Sequence, residues 1–234
     1  MWFLGSDFRY LASPEGNSPI YCASVLGLTN VVKFLHSKGH DPGSKGDRFG
    51  FPLQGAIWSH HYDVAEYLIQ SGADVNQKGG FLSTALHAAV DVAPIGIVRL
   101  LVEKGASVLL LNDAGQNPLH YACIRRKSDI ALFLFNALDD SNRMSVISSI
   151  DKYGCTALTG AAWGGLQKLV ELLLDRRADV NAEVEALWAA ASEGHGKIVE
   201  MLLQRGGADT ADGRQEALFA AARRGHQDVV KMLL

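Results

Sequence analysis

Residues 84–105 read TALHAAVDVAPIGIVRLLVEKG, and this stretch decides the fold. It opens on Thr84, whose side-chain oxygen can cap the free backbone N–H groups at a helix start. The small pair Ala88-Ala89 lets a neighbouring helix approach closely, and the segment closes on Gly105, a helix-stop signal. The same pattern stands earlier at 51–72 (FPLQGAIWSHHYDVAEYLIQSG), and before that at 18–39 (SPIYCASVLGLTNVVKFLHSKG). A fourth copy opens at Asn117, so the starts at 18, 51, 84 and 117 follow one constant interval. A fixed period of this length predicts a stacked repeat architecture. Such an array rarely encloses a catalytic pocket but presents a long surface along which another molecule can lie.

Each copy reads as helix, tight turn, helix. Ser18, Thr84, Asn117 and Thr156 stand at the capping position, and Pro19, Pro52 and Pro118 follow at the first helical position, where a missing N–H costs nothing. Cys22-Ala23, Ala161-Ala162 and Ala189-Ala190 repeat the small pair. Gly27, Gly165, Gly194 and Gly225 recur at a constant offset from the starts, which suits a left-handed turn between two helices. The second helix carries apolar runs such as Val31-Val32-x-Phe34-Leu35 and Leu169-Val170-x-Leu172-Leu173-Leu174. Gly39, Gly72, Gly105 and Gly206 close it at a second constant offset.

The motifs T-A-L-H-A-A at 84–89, N-P-L-H-Y-A at 117–122, G-H at Gly194-His195 and Gly225-His226, and G-A-D-V-N at 72–76 resemble the ankyrin repeat. The variants F-P-L-Q at 51–54 and N-Q-K-G-G at 76–80 are similar to repeats of long fungal arrays. The resemblance implies an all-α solenoid of about seven helix-turn-helix units starting near residues 18, 51, 84, 117, 156, 185 and 216, so that the array covers 18–234. Residues 1–17 precede it as a lead-in or cap, with Trp2, Phe3, Leu4, Phe8 and Tyr10 able to cover the first unit. The chain stops inside the second helix of the seventh unit, before the closing glycine due at 237. The expectation is therefore an array truncated at its C-terminus.

Departures from the period carry their own expectations. The interval from the fourth start at 117 to the fifth at 156 is longer than the others, and the surplus in 136–150 predicts a lengthened second helix or a short helical loop. The next two intervals, 156 to 185 and 185 to 216, are shorter than the period, which predicts clipped hairpins after Asn181 and Asp209. His60, Ala93 and Arg126 replace the inter-helix glycine, and Arg177 replaces the closing one.

Composition excludes several function classes. Hydrophobic residues make up 48% of the chain, ordinary for a packed protein, and no run approaches the roughly 18 apolar residues of a membrane span. A net charge of −3 gives no general drive toward nucleic acid or acidic membranes. Arg125-Arg126, Arg176-Arg177 and Arg223-Arg224 fall in different columns of the repeat, interrupted by Asp91 and Glu193, so no contiguous phosphate-tracking face is expected. Three cysteines, Cys22, Cys123 and Cys155, read as reduced thiols of an intracellular, cytoplasmic or nuclear protein. No spacing among the eight histidines matches a metal site; the resemblance gives His87, His120, His195 and His226 structural slots, with His60-His61 in the same turn as the last two. No nucleophile elbow and no phosphate loop is present, and no catalytic residue, cofactor or metal is assigned.

What remains is a surface. Partners of ankyrin repeats contact hairpin tips and the exposed end of the first helix, so the resemblance points to another protein as partner. The array itself is read as monomeric or as part of a longer chain. The candidate contacts are Arg48, Phe49, Phe81, Leu82 and Tyr153 at the tips, with Trp58, Asp91, Arg125, Trp163, Glu193 and Arg224 beside the turns. Aromatic residues and arginines dominate interface energetics. Trp58 and Trp163 are open to two readings, partner anchors or packing on the adjacent unit, whereas Trp188 is expected to be buried. The expected function is a non-enzymatic protein-binding scaffold; the alternative is a regulatory or substrate-recruiting segment of a larger enzyme, such as a nucleotide-hydrolysing signalling protein.

Overall fold

The opening residues form the caps that their chemistry predicts. In the computed structural model, which describes residues 17–176, 180–205 and 211–234, the side chains of Ser18, Thr84, Asn117 and Thr156 accept hydrogen bonds from the backbone N–H groups of Tyr21, His87, His120 and Thr159. Each satisfies one of the donors that a helix start leaves free. All named secondary-structure elements among the described residues are helices.

The chain divides into two compact units, Met1–Asn112 and Asp113–Leu234. The first contains α1 (Pro19–Val25), α2 (Thr29–Ser37), α3 (Pro52–Trp58), α4 (Tyr62–Gln70), α5 (Ala85–Val92) and α6 (Ile95–Glu103). The second contains α7 (Pro118–Ile124), α8 (Ser128–Asn136), α9 (Asp140–Ser148), α10 (Ala157–Gly164), α11 (Gln167–Leu174), α12 (Val180–Glu193), α13 (Gly196–Arg205), α14 (Ala211–Arg224) and α15 (Gln227–Leu233). Within the first unit α1 packs on α3 and α3 on α5, with α2, α4 and α6 stacked behind them; within the second, α7, α10, α12 and α14 stack in order, backed by α8, α11, α13 and α15. The small pairs sit at these contacts: Ala88, Ala89, Ala161, Ala162, Ala189 and Ala190 are fully buried. Leucines of the second helices, Leu68, Leu101, Leu134, Leu169 and Leu202, are equally inaccessible, and each such burial contributes about 1.5–3 kcal/mol.

The inter-helix glycines adopt the left-handed conformation, with φ of 69° at Gly27 and 75–80° at Gly165, Gly194 and Gly225. His60 and Arg126 take the same conformation at φ 62° and 56°, at a cost of about 1 kcal/mol each relative to glycine. Ala93 does not. It is extended (φ −92°, ψ 156°) because Pro94 follows it and disfavours a helical residue before it.

The surplus before the fifth start forms a separate helix, α9, capped by the Asp139 carboxylate on the N–H of Asn142. The short intervals that follow differ from the expectation of clipped hairpins. Asn181 lies inside α12, and α12 and α14 are both 14 residues long, so the first helix begins early in the space where a hairpin would stand. Asp209, Arg177, Gly206 and residues 1–16 lie outside the described residues.

Candidate functional site

In the first unit the loops before α3 and α5 run against each other. The Phe81 N–H donates to the Arg48 carbonyl at 3.2 Å. A Cβ on Gly80 would lie 2.3 Å from the Phe49 carbonyl carbon, which explains the glycine there. This close approach brings Phe49 and Phe81 over the end of α3, where Trp58 meets them. The ring centroids of Trp58 and Phe81 are 4.9 Å apart and edge to face, Phe49 and Phe81 are 5.9 Å apart, and Phe49 and Trp58 6.4 Å. The Arg48 guanidinium caps the group, 5.6 Å from the Phe49 ring and 5.5 Å from that of Phe81. Phe81 is 48% exposed, and Arg48 is exposed beside it. Four residues singled out from sequence thus form one cluster, with Leu82 half-buried next to Phe81. Each edge-to-face ring pair is worth about 0.5–1.5 kcal/mol and each exposed cation–π contact about 0.5–1 kcal/mol.

The second unit repeats the arrangement with other residues. Trp163 at the end of α10 stacks on Trp188 of α12, centroids 6.1 Å apart and planes at 28°. The Arg224 guanidinium lies 5.5 Å from the Trp163 ring. Arg224 also reaches Glu193 at 2.5 Å, and Arg126 reaches the other oxygen of the same carboxylate at 2.6 Å. Arg126 comes from the turn between α7 and α8. Burial works against ionisation of Glu193, yet the two guanidinium groups overcome it and hold the carboxyl below the usual glutamate range. Arg125 lies 5.7 Å from the Tyr121 ring on the same edge.

The remaining candidates separate. Tyr153 is 78% exposed at its hairpin tip. Asp91 is a correction: it is buried (8% exposed) and takes part in interactions within the fold, so it is no open contact. Trp188 is the opposite correction, 39% exposed instead of buried. At the equivalent position of α3, Gln54 donates to the carbonyls of Gln77 and Ser83 in the long loop before α5. Sequence reasoning also left Arg126 out of the candidate surface, since its partner Glu193 lies 67 residues away in the chain.

Histidines serve the stacking of repeats. His195 Nε2 lies 3.2 Å from the Trp163 carbonyl and His226 Nε2 3.0 Å from that of Ser192. His87 shares a 2.8 Å hydrogen bond with Thr84. His120 departs from the expected backbone bridge: it is 2% exposed and neither ring nitrogen makes a well-formed hydrogen bond. Among the described residues no group of three or more His, Cys, Asp or Glu side chains is placed to hold a metal ion, and no helix is long and apolar enough to cross a membrane. A surface depression runs along α14, lined by Asp212, Gln215, Leu218 and Phe219.

Comparison with known proteins agrees with the repeat fold. The palmitoyltransferase AKR1 of Lachancea kluyveri is 33% identical over 172 residues, which are 69% of this chain and 23% of that protein. The B-cell lymphoma 3 protein of Homo sapiens is 31% identical over 76% of this chain and 38% of its own length. The chain therefore spans well under half of these relatives. The crystal structure of the human ASB11 ankyrin repeat domain superposes with a TM-score of 0.71 at 22% identity, covering 93% of this chain and 98% of that one, a likeness of fold. The family model described as ankyrin repeats (3 copies) matches residues 1–79, 86–184 and 182–234. Matched over most of its length, the chain belongs to the ankyrin-repeat family.

Proposed function

We propose that this chain is a non-enzymatic protein-binding module, and that its partner is held at the two arginine-capped aromatic clusters, Arg48–Phe49–Trp58–Phe81 and Trp163–Trp188–Arg224. The observation that carries the reading is their recurrence. In each unit an arginine lies about 5.5 Å from partly exposed aromatic rings at the ends of the first helices, the residue types that anchor interfaces. Leu82, Arg125, Glu193 and Tyr153 flank these anchors. The three free cysteines support a reducing compartment, cytoplasmic or nuclear. The test uses a partner captured by pull-down. Trp58→Ala and Trp163→Ala should each weaken its binding by about thirtyfold, the loss expected for an anchor worth about 2 kcal/mol, while the protein stays folded, with a melting temperature lowered by a few degrees at most through the lost ring contacts. Destabilised variants that keep full affinity would show that the tryptophans only pack.

A second reading is favoured by one comparison. A relative at 33% identity is named a palmitoyltransferase, of which this chain matches 23%. In that case the same surface recruits a substrate or regulator to an enzyme carried elsewhere on a longer polypeptide. The coding sequence on either side of this chain decides between the readings: an enzyme domain on the same polypeptide favours the enzyme segment, and further repeats without one favour the binding module.

A further inference from the structure

The chain carries a net charge of −3, but that charge is unevenly placed. The inter-helix turns of the second unit are residues 124–129 (IRRKSD), 163–168 (WGGLQK), 192–197 (SEGHGK) and 223–228 (RRGHQD), which together hold seven Lys or Arg against three Asp or Glu. The corresponding turns of the first unit, 25–30 (VLGLTN), 58–63 (WSHHYD) and 91–96 (DVAPIG), hold none against two. The basic turns are also physically stacked. A Cβ on Gly164 would lie 2.6 Å from the Cys123 carbonyl oxygen, His195 reaches the Trp163 carbonyl, and His226 reaches that of Ser192. Their charges therefore share one edge of the second unit.

This edge already binds a carboxylate. Arg126 and Arg224, from turns three repeats apart, converge on the two oxygens of Glu193. The stacked rings of Trp163 and Trp188 lie beside them. We propose that the turn edge of the second unit is a docking strip for an extended, acidic polypeptide segment of a partner protein, with its carboxylates on the arginines and an apolar side chain on the Trp163–Trp188 pair. The proposal rests on the protein-binding reading and names the partner's chemistry. Packed helices lie about 8–10 Å apart, so four successive turns span about 24–30 Å. An extended chain covers that distance in about seven to nine residues. A nucleic-acid strand fits less well, because Asp129, Glu193 and Asp228 punctuate the strip and would repel a phosphate backbone charged at every step. A polypeptide can instead space its carboxylates to avoid them.

The experiment measures fluorescence anisotropy of the full chain with three labelled probes: a nonapeptide of seven glutamates and two leucines, its counterpart with lysines for the glutamates, and an oligothymidylate of equal charge to the acidic peptide. The acidic peptide should bind and should release as salt rises toward about 0.5 M, and the lysine peptide should not bind. The double variant Arg125→Glu/Arg223→Glu should lose at least tenfold in affinity with an unchanged helical circular dichroism spectrum, whereas Lys104→Glu, on the first unit, should lose none. Should the reversal disturb the fold, Arg125→Gln/Arg223→Gln should still give a graded loss. Preference for the oligothymidylate, indifference to peptide charge, or affinity untouched by both double variants overturns the proposal. A captured partner that needs Trp58 but ignores the charge reversals leaves the protein-binding reading standing and removes only this one.

Discussion

Gly164 and Gly96 are both helical glycines, and replacing each by alanine should move stability in opposite directions. Gly164 ends α10 where that helix crosses α7, and an added Cβ would sit 2.6 Å from the Cys123 carbonyl oxygen, against 3.4–4 Å for ordinary contact. The obstruction is helix backbone, so α7 and α10 must separate by several tenths of an ångström. Overpacking of this kind costs about 1–3 kcal/mol, against a gain of up to about 1 kcal/mol from replacing a helical glycine. The net expectation for Gly164→Ala is a loss of about 1–2 kcal/mol, roughly 2–8 °C in melting temperature for a chain of this size. Gly96 stands in the first turn of α6 with nothing within 4 Å of an added Cβ. Gly96→Ala should therefore stabilise by about 0.5–1 kcal/mol through the helix term alone. Thermal and urea melts followed by the helical circular dichroism signal measure both variants. A Gly164→Ala protein as stable as the parent, or a destabilised Gly96→Ala protein, would refute the reasoning from close approach.

His120 gives a pH signature: burial holds its pKa below the usual 6.5, against the raising influence of Asp151 and the Ser149 backbone. The unfolded chain then binds the proton more readily, so stability should fall as pH drops below about 6.5, and His120→Gln, the residue that α3 carries as Gln54, should flatten that slope in urea titrations run from neutral to mildly acidic pH. Cys123 is fully buried with its thiol pushed up to about 12, so Ellman's reagent in mildly alkaline buffer should leave it unmodified in the native protein while Cys22 and Cys155 react, and all three thiols should titrate in denaturant.

The repeat was legible because its signals are local. A capping Ser, Thr or Asn, a proline at the first helical position and glycines at left-handed turns act within a few residues of themselves, and the helices of α1 through α8 follow from them. The cluster of Arg48, Phe49, Trp58 and Phe81 was also within reach, since hairpin tips and helix ends recur at fixed offsets. Where the period lapses, in the two shortened intervals after Thr156, the sequence reading put the unit starts near 185 and 216, whereas α12 begins at Val180 and α14 at Ala211.

The sequence by itself determined the element order, the period and the residue types offered at each turn, because these depend on backbone geometry and short-range hydrogen bonding. The tertiary structure decided which of those residues are accessible and which meet. Asp91 is buried and Trp188 accessible, the reverse of the expectation, because burial depends on which groups of neighbouring repeats pack over a position and not on its place in the motif. Arg126 meets Glu193 across 67 residues of chain because the stacked repeats of the second unit bring their turns together. Contacts of that kind are set by the stacking of helices in space, and no local pattern announces them.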